Sequence, residues 1–587
     1  MLNPREIRLL HIEPGISAQI KCRVSTVPLD SSLAYDALSY TWGGQELSHE
    51  ITVSGQTCSV TLNLHDALQH LRYEDVERRI WIDAICINQY DDNERACQVR
   101  IMADIFRCAR QVVMWVGKET EFDGMAFALF KQLREVFKTF GRVDFDFQQV
   151  GPDDRTSPGY GLPETGADDW IALIRLFQRP YFTRTWVIQE VVMASNALLA
   201  CGHFEVEWEL LRDFARSVLK GGAIGELEFS ENAPGIRSIN VMADLKAGSG
   251  TDLLSLLTRT RAYEATVAVD KVFGLLNLVS NPHDVGVEID YSQNAPGVWK
   301  KLAVHSLTVH KSLLSLSNAG TDASSGRSWI PDWSNTNGNR GCLALYGKDH
   351  FRASGDTKTS AKISDDLQTL TVTGFIVDAI AIVAPPGLKF ARRVRSSGSL
   401  IWQTPEEEQA RFFEIATELR GARAAAASAF QYTEGVSRER ELARTFCCDM
   451  LTTGEAADID GANETLKWMM QAFDLFPPPP GTDIEAMVRE IQLLRPPGIM
   501  IEQFMHSATM FGVGRSVCAT TGGDIGRVPF GTQAGDLVCV LQGGIVPCLL
   551  RLENDCYKLV GECYMNGIMH GQALERQDLV EQEFDII

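Results

Sequence analysis

The sequence lacks any apolar stretch long enough to cross a membrane. The longest apolar run, residues 376–384, is short and contains Asp378, so we expect a β-strand there. The N-terminal run MLNPREIRLLHIEPG has no apolar core of the kind found in secretory signals. We therefore expect a cytoplasmic protein without a membrane span.

Positive charge is also scarce. The 587 residues include 55 Lys and Arg against 76 Asp and Glu, which gives a net charge of −21. Nucleic-acid binding needs clustered Lys and Arg for phosphate contacts, and the sequence shows no basic stripe. We expect no nucleic-acid partner. The apolar content of 45% is that of an ordinary globular protein, and the chain is too long for a single hydrophobic core.

Common metal-binding and catalytic motifs are missing as well. The fourteen cysteines are spread singly apart from Cys447 and Cys448, with no CxxC pair and no zinc-type spacing. We expect reduced thiols and no metal site. His65 and His70 are five residues apart, which fits helix-surface residues better than a helical metal pair. No Walker A loop, GxGxxG, HExxH or GxSxG motif occurs.

What the sequence does contain, in its N-terminal part, is an alternation of apolar strands and amphipathic helices. This alternation predicts a parallel sheet covered by helices on both faces, in a domain spanning residues 31–205 with an insertion at 119–165. A strand segment at residues 1–30 precedes the domain. The pattern predicts strands at 35–40, 79–85, 111–116 and 197–201, and helices at 64–72, 123–138 and 168–177.

The remainder of the chain has a different pattern. Residues 206–340 read as a helical connector, and residues 341–587 as a mixed α+β region that contains a stiff spacer at Pro477–Pro480. Strands are expected at 367–384, 535–540 and 557–561. The fold class is therefore an α/β domain followed by mainly helical and α+β regions.

The loop after the first strand carries residues suited to ligand binding. Ligands of parallel sheets bind outside the carboxyl ends of the strands. Ser39, Tyr40, Trp42 and Gly43 lie at that place, where glycine lets the backbone approach a ligand and the aromatic rings can stack on a base or pyridine ring. The alternative is a tight turn closed by a packed Trp42.

A second set of polar residues follows the next strand. Asp83, Asn88 and Gln89 supply donors and acceptors able to bind sugar hydroxyls, and they precede a helix N-terminus, which favours phosphate. The alternative is an Asx turn that leads into a capping box formed by Asp91 and Glu94.

The run at residues 179–193 carries an acidic residue in apolar surroundings. Glu190 is flanked by valine, isoleucine and methionine, and Trp186, four residues earlier, shares its helical face. A buried carboxylate needs a partner or a chemical role. Glu190 is therefore either an ion-pair residue bound to Arg179 or Arg184, or a catalytic residue.

Three segments together resemble the HET (heterokaryon incompatibility) domain of filamentous fungi: 35–43 (YDALSYTWG), 81–89 (WIDAICINQ) and 184–190 (RTWVIQE). The resemblance implies non-self recognition, cell death and self-association through this domain, with a possible protein partner for the C-terminal region. HET domains are regarded as remote relatives of TIR domains. This relationship implies a TIR/flavodoxin-like sheet and NAD as a substrate, with no bound cofactor.

The same relationship implies a catalytic role for Glu190 and an aromatic role for Trp186. The spacing Trp-x-x-x-Glu and the insertion at 119–165 depart from the TIR pattern. Nicotinamide leaves NAD as a neutral pyridine, so one carboxylate that offsets the positive charge on the ribose can suffice. Two functions stay open: a TIR-like NAD glycohydrolase, or a non-catalytic signalling and assembly module.

Overall fold

A computed structural model gives the architecture of the chain. The chain forms two compact units, residues 1–294 and 295–587, and the division falls within the connector expected at 206–340. The spacer expected at Pro477–Pro480 lies outside the described residues. Those residues are 2–3, 5–30, 32–44, 46–140, 161–163, 167–220, 233–248, 252–281, 284–320, 326–336, 341–385, 420–425, 427, 438–451, 455–473 and 501–587.

The first unit is built on one sheet with the strand order β5-β4-β2-β1-β6-β3-β7-β8-β9. Its strands are β1 (Glu6–Ile12), β2 (Lys21–Pro28), β3 (Asp36–Tyr40), β4 (His49–Val53), β5 (Gln56–Val60), β6 (Arg78–Trp81), β7 (Gln111–Trp115), β8 (Ala197–Cys201) and β9 (Phe204–Glu207).

This sheet is mixed, and the expectation of a parallel sheet holds for its centre and for the short pairing of β2 with β4. Strands β6, β3, β7 and β8 are parallel neighbours. The strands expected at residues 1–30 are present and join the same sheet, because β1 pairs antiparallel with both β2 and β6. At the other end β9 is antiparallel to β8. The consecutive pairs β1–β2, β4–β5 and β8–β9 are antiparallel, since hairpin partners need only short connections, whereas β2 and β4 are parallel.

The helices of the first unit include those expected at 64–72, 123–138 and 168–177. The α-helices, numbered along the chain, are α1 (Leu62–Leu71), α2 (Asp83–Cys86), α3 (Asp92–Cys108), α4 (Asp123–Phe140), α5 (Asp168–Phe177), α6 (Thr185–Met193), α7 (Trp208–Lys220), α8 (Pro234–Lys246), α9 (Leu253–Arg259) and α10 (Asp270–Phe273), with 3-10 turns at Pro180–Thr183 and Leu276–Leu278.

Two local expectations need correction. The strand expected at 79–85 ends at Trp81, and the short helix α2 begins at Asp83, whose carboxylate accepts a hydrogen bond from the Ala84 N–H. Asp91 caps α3 as expected, but Glu94 does not complete a capping box. Its carboxylate oxygens instead accept hydrogen bonds from the Arg8 guanidinium at 2.5 and 3.0 Å. The charge of Glu94 therefore stabilises the contact between α3 and β1 rather than the N-terminus of its own helix.

The second unit is built around another sheet of nine strands. The strands are β10 (Lys362–Ile363), β11 (Leu370–Val383), β12 (Arg515–Thr520), β13 (Ile525–Pro529), β14 (Leu537–Leu541), β15 (Cys548–Glu553), β16 (Cys556–Glu562), β17 (Tyr564–Met565) and β18 (Glu581–Ile586). The α-helices are α11 (Ala295–Thr308), α12 (Leu314–Ser317), α13 (Leu343–Tyr346), α14 (Arg438–Cys447), α15 (Ile459–Phe473) and α16 (Ile501–Gly512), with a 3-10 turn at Gln572–Glu575.

The long strand β11 holds this second sheet together. It pairs with β14, β18 and β12, and β14-β15-β16-β18-β11 therefore closes into a ring. Gly374 permits the close approach of β11 to β14, since a Cβ at this position would lie 2.5 Å from the carbonyl oxygen of Val540. The strands expected at 367–384, 535–540 and 557–561 are confirmed as β11, β14 and β16.

Within the parts of the chain that the structure describes, no helix has the length and apolar character that a membrane crossing requires. All fourteen cysteines lie in described residues, and all are free thiols, as expected.

Candidate functional site

The candidate site lies at the carboxyl end of β3, in the middle of the first unit's sheet. The chain runs from β3 to β6 on one side and later to β7 on the other, so strand order reverses at β3. Crevices form at such reversal points, because the connections leave in opposite directions. The last two residues of β3 are Ser39 and Tyr40, and both are buried.

Trp42 and Asp83 meet beyond the ends of two neighbouring strands. Trp42 follows β3, and its indole Nε1 donates to the Asp83 carboxylate at 2.8 Å. Trp42 is 40% exposed, so one side of its ring faces solvent. The two loops that the sequence analysis singled out are therefore joined at one edge of the sheet, with a carboxylate and an accessible aromatic ring.

Glu190 approaches the same edge from helix α6. It is only 4% exposed, and the Ser39 hydroxyl donates a short hydrogen bond to its carboxylate. The Ser39 oxygen also lies 2.7 Å from the Tyr181 hydroxyl. Since the single Ser39 proton goes to Glu190, Tyr181 is the donor to Ser39. The result is a relay of two hydroxyl groups that ends on one carboxylate.

Burial dominates the electrostatics of this site. It raises the pKa of Glu190 to about 7, against the opposing effects of the Arg184 guanidinium and the Ser39 hydrogen bond, and the charge of Asp83 adds to the rise. Burial likewise raises the pKa of Asp83 above its usual range. The site thus holds two carboxyl groups, one of which changes protonation near neutral pH.

Neither arginine proposed as an ion-pair partner binds Glu190. Arg179 pairs with Asp123 at 2.6 Å. Arg184 donates to the backbone carbonyl of Tyr40, and no ion pair of Glu190 occurs within the described residues. The ion-pair interpretation of Glu190 is therefore wrong. Arg184 acts on the carboxylate from a greater distance, through its charge.

Trp186 makes contacts that differ from those of Glu190, although both lie on α6. Its indole Nε1 donates to Asp270 at 3.1 Å, and the hydroxyl of Tyr291 donates to the other oxygen of that carboxylate at 3.0 Å. A Cβ at Gly274 would lie 3.3 Å from the Trp186 ring. Trp186 therefore joins α6 to the segment around α10, and its side chain is only partly exposed.

The remaining predicted residues differ in how directly they contact Trp42, Asp83 and Glu190. Gln89 contacts Asp83, since its side-chain amide donates to the backbone carbonyl of Asp83 at 2.9 Å. Asn88 is exposed, and its side chain accepts from the Tyr90 N–H at 3.2 Å, as in an Asx turn. Gly43 has a φ of +74°, which the turn after β3 requires.

Sequence reasoning missed two residues that shape the site. Tyr181 lies in the 3-10 turn before α6, and helical periodicity could not place its hydroxyl beside Ser39. Asp270 is distant along the chain, and its only sequence signal is the run DKVFGL, an acid at the start of an amphipathic segment.

Comparison with known families and proteins gives two family matches. Residues 35–190 match the family described as heterokaryon incompatibility protein (HET), and residues 499–585 match the Het-6 beta-barrel domain. The first match contains all the candidate site residues named in the sequence analysis.

A relative among curated proteins is "Heterokaryon incompatibility protein 6, OR allele" of Neurospora crassa. It is 26% identical over 398 residues, which are 56% of this chain and 57% of that protein. The chain thus spans little more than half the length of this relative. No solved structure matches the chain.

Proposed function

The chain is a fungal HET domain protein, and from that premise we propose that it acts in heterokaryon incompatibility by cleaving the bond between nicotinamide and ribose in NAD. The observation that carries the proposal is the placement of Glu190. This buried carboxylate has a pKa of about 7 and no ion-pair partner within the described residues, at the strand end where Trp42 and Asp83 also lie.

The order of the parallel strands supports a TIR/flavodoxin-like reading of the sheet. In chain order the four central strands are β3, β6, β7 and β8, and their spatial order is therefore 2-1-3-4. Doubly wound sheets of the flavodoxin type share this order and bind their ligand between the first and third strands. In this chain that position is the end of β3, where Ser39 contacts Glu190.

The chemistry matches a site with few catalytic groups. The nicotinamide ring of NAD is cationic, and its approach would lower the pKa of Glu190 and favour the ionised form. As the bond to ribose breaks, nicotinamide takes the bonding electron pair and leaves neutral, while positive charge grows on the ribose. The carboxylate of Glu190 would stabilise that charge, and water then adds to the ribose and loses one proton to solvent.

The test is release of nicotinamide from NAD by the purified full chain, measured by chromatography at low and high protein concentration, because the HET domain is expected to self-associate. We expect Glu190→Gln to lower the rate at least 100-fold, about 2.7 kcal/mol of activation free energy. Glu207→Gln is the matched control, since Glu207 is 46% exposed and pairs with Arg134. Turnover by Glu190→Gln equal to wild type would contradict the proposal.

A second function, a non-catalytic assembly module, is favoured by a different observation. Glu190 is only 4% exposed, and the indole N–H of Trp186 is already bonded to Asp270. In such a module these contacts would serve to hold α6 in place. Wild type and Glu190→Gln would then both leave NAD intact at every protein concentration, while differing in thermal stability.

A further inference from the structure

A group of potential metal ligands lies in the second unit, outside the site proposed for NAD. His350, Asp449 and His570 each offer one ligand atom, and these atoms lie within 4.8 Å of one another. His350 follows α13, Asp449 follows α14, and His570 follows β17. We propose that these three side chains bind a zinc ion.

The separations between the side chains fit a shared ion better than direct hydrogen bonds. The Nε2 atoms of His350 and His570 lie 3.8 and 3.9 Å from the same carboxylate oxygen of Asp449. These distances are too long for hydrogen bonds. Zinc bonds of about 2.1 Å in tetrahedral geometry separate two ligand atoms by about 3.4 Å. A shift of about half an ångström would bring each imidazole nitrogen to that spacing from the Asp449 oxygen.

The imidazole of His350 gives a second, independent observation. Its Nε2 atom is inaccessible to solvent and has no hydrogen-bond partner. A buried polar atom without a partner is unfavourable, and in native proteins it is often explained by a bound ion or water. The His350 ring also lies beside the rings of Phe351 and His570, with ring centroids 4.8 and 5.2 Å away.

The surroundings of Asp449 suit a ligand carboxylate. Asp449 has a φ of +58° just after α14, which turns its side chain out of the helical path. Arg444 lies 3.4 Å from the same carboxylate oxygen and can orient it, as outer partners of metal ligands do. Glu441, 3.8 Å from Arg444, offsets the added positive charge.

The ligand set indicates both the class of ion and an open coordination position. Two neutral imidazoles and one carboxylate are suited to zinc and other divalent transition metals. Three protein ligands leave a fourth position for water or a small anion, and His570 is 40% exposed on its side chain, which leaves a path from solvent. A bound ion would join three segments that are distant in the sequence, and this dispersal explains why motif spacing did not reveal the site.

The experiment measures zinc bound by the full chain. Protein freed of metal by a chelator is dialysed against zinc, and bound zinc is counted by mass spectrometry. We expect about one zinc per wild-type chain, a melting temperature raised by about 5 °C at saturating zinc, and affinity at least 10-fold lower in His570→Ala and Asp449→Asn. Asp356→Asn is the matched control, because it removes the same charge from a side chain that is 97% exposed.

Cobalt distinguishes this site from thiol binding. Cobalt bound by imidazole and carboxylate gives only weak visible bands, whereas a thiolate ligand, such as the exposed Cys97 or Cys108, adds intense charge-transfer absorption. The proposal is overturned if the wild type binds no stoichiometric zinc, if the absorption is that of a thiolate complex, or if both ligand variants bind as tightly as wild type. His570→Ala is the leading variant, because the His570 side chain is partly exposed and its removal should disturb folding least. Asp449→Asn keeps the shape of the side chain.

Discussion

Glu190 in the first unit and Glu562 in the second are both almost completely buried, and the two glutamates differ in their partners. Glu562, in the second unit, is 3% exposed and binds Arg515 at 2.5 Å. It also accepts hydrogen bonds from the N–H groups of Leu343 and Ala344, at 2.6 and 3.1 Å. Glu190, in the first unit, is 4% exposed and accepts one hydrogen bond, from Ser39.

The difference shows that burial alone does not mark a functional carboxylate. A buried charge is unfavourable unless ion pairs and hydrogen bonds compensate for lost hydration. The partners of Glu562 supply that compensation, and its carboxylate joins β16 to β12 and α13. Glu190 has far less compensation, so its pKa rises to about 7. A buried carboxylate with so few compensating contacts is better suited to a catalytic role than to stabilising the fold.

The largest effect that would test this comparison is on folding stability at Glu562. In Glu562→Gln the buried Arg515 loses its counter-charge, and the new amide N–H₂ faces a donor in either orientation, the Ala344 N–H or the Leu343 N–H together with Arg515. We expect the free energy of unfolding to fall by about 3–5 kcal/mol, measured by urea denaturation followed by fluorescence and circular dichroism.

Glu553→Gln is the matched control for this substitution. Glu553 pairs with Lys558 at 3.3 Å, and both side chains are more than one-third exposed, so the pair is screened by solvent. We expect less than about 1 kcal/mol of change. If the two variants lost equal stability, Glu562 would not be the structural charge described above.

The next effect is the pH dependence of stability that Glu190 contributes. Its pKa is about 7 in the folded protein and 4.5 in an unstructured chain. Between these values the folded state binds more protons, so the contribution of Glu190 to stability is complete below pH 4.5 and is lost as pH rises through 7. The loss is on the order of 3 kcal/mol.

Glu190→Gln cannot ionise and therefore lacks this loss. Relative to wild type, the variant should gain on the order of 3 kcal/mol between pH 4.5 and pH 8. Urea denaturation of both proteins at the two pH values gives this difference directly. A stability difference that is the same at both pH values would show that Glu190 is compensated in the folded state as well as Glu562 is.

Local patterns in the sequence were sufficient to predict most of the helices and strands of the first unit. Strand β8 begins and ends where the apolar run at 197–201 predicts, and helix α5 coincides with the prediction at 168–177. The meeting of the loops after β3 and β6 also follows from sequence, because parallel strands bring their carboxyl ends to one edge. A direct hydrogen bond between Trp42 and Asp83 joins the two loops.

The remaining features depend on contacts between distant residues. No periodicity indicates that β1 runs antiparallel beside β6, or that Glu94 turns to Arg8 instead of to its own helix end. Charge pairing is the general expectation for a buried acid, and Arg179 and Arg184 lie close to Glu190 in the sequence. The partner of Glu190 is instead the hydroxyl of Ser39. Ser39 is distant along the chain and reaches Glu190 only when β3 and α6 are packed together.

The smallest effect concerns that hydroxyl. Ser39→Ala removes the hydrogen bond described for Glu190, and Tyr181 also loses its acceptor. At pH 5, where Glu190 is protonated, we expect a loss of about 1 kcal/mol. At pH 8, where it is ionised, we expect about 2 kcal/mol, because a charged acceptor loses more than a neutral one.

The pH at which NAD cleavage by Ser39→Ala reaches half its maximum should also rise above 7. Urea denaturation at both pH values and a pH profile of nicotinamide release provide the measurements. Equal losses at pH 5 and pH 8 would mean that another donor replaces Ser39, and Glu190 would then resemble Glu562 in having several partners to share its charge.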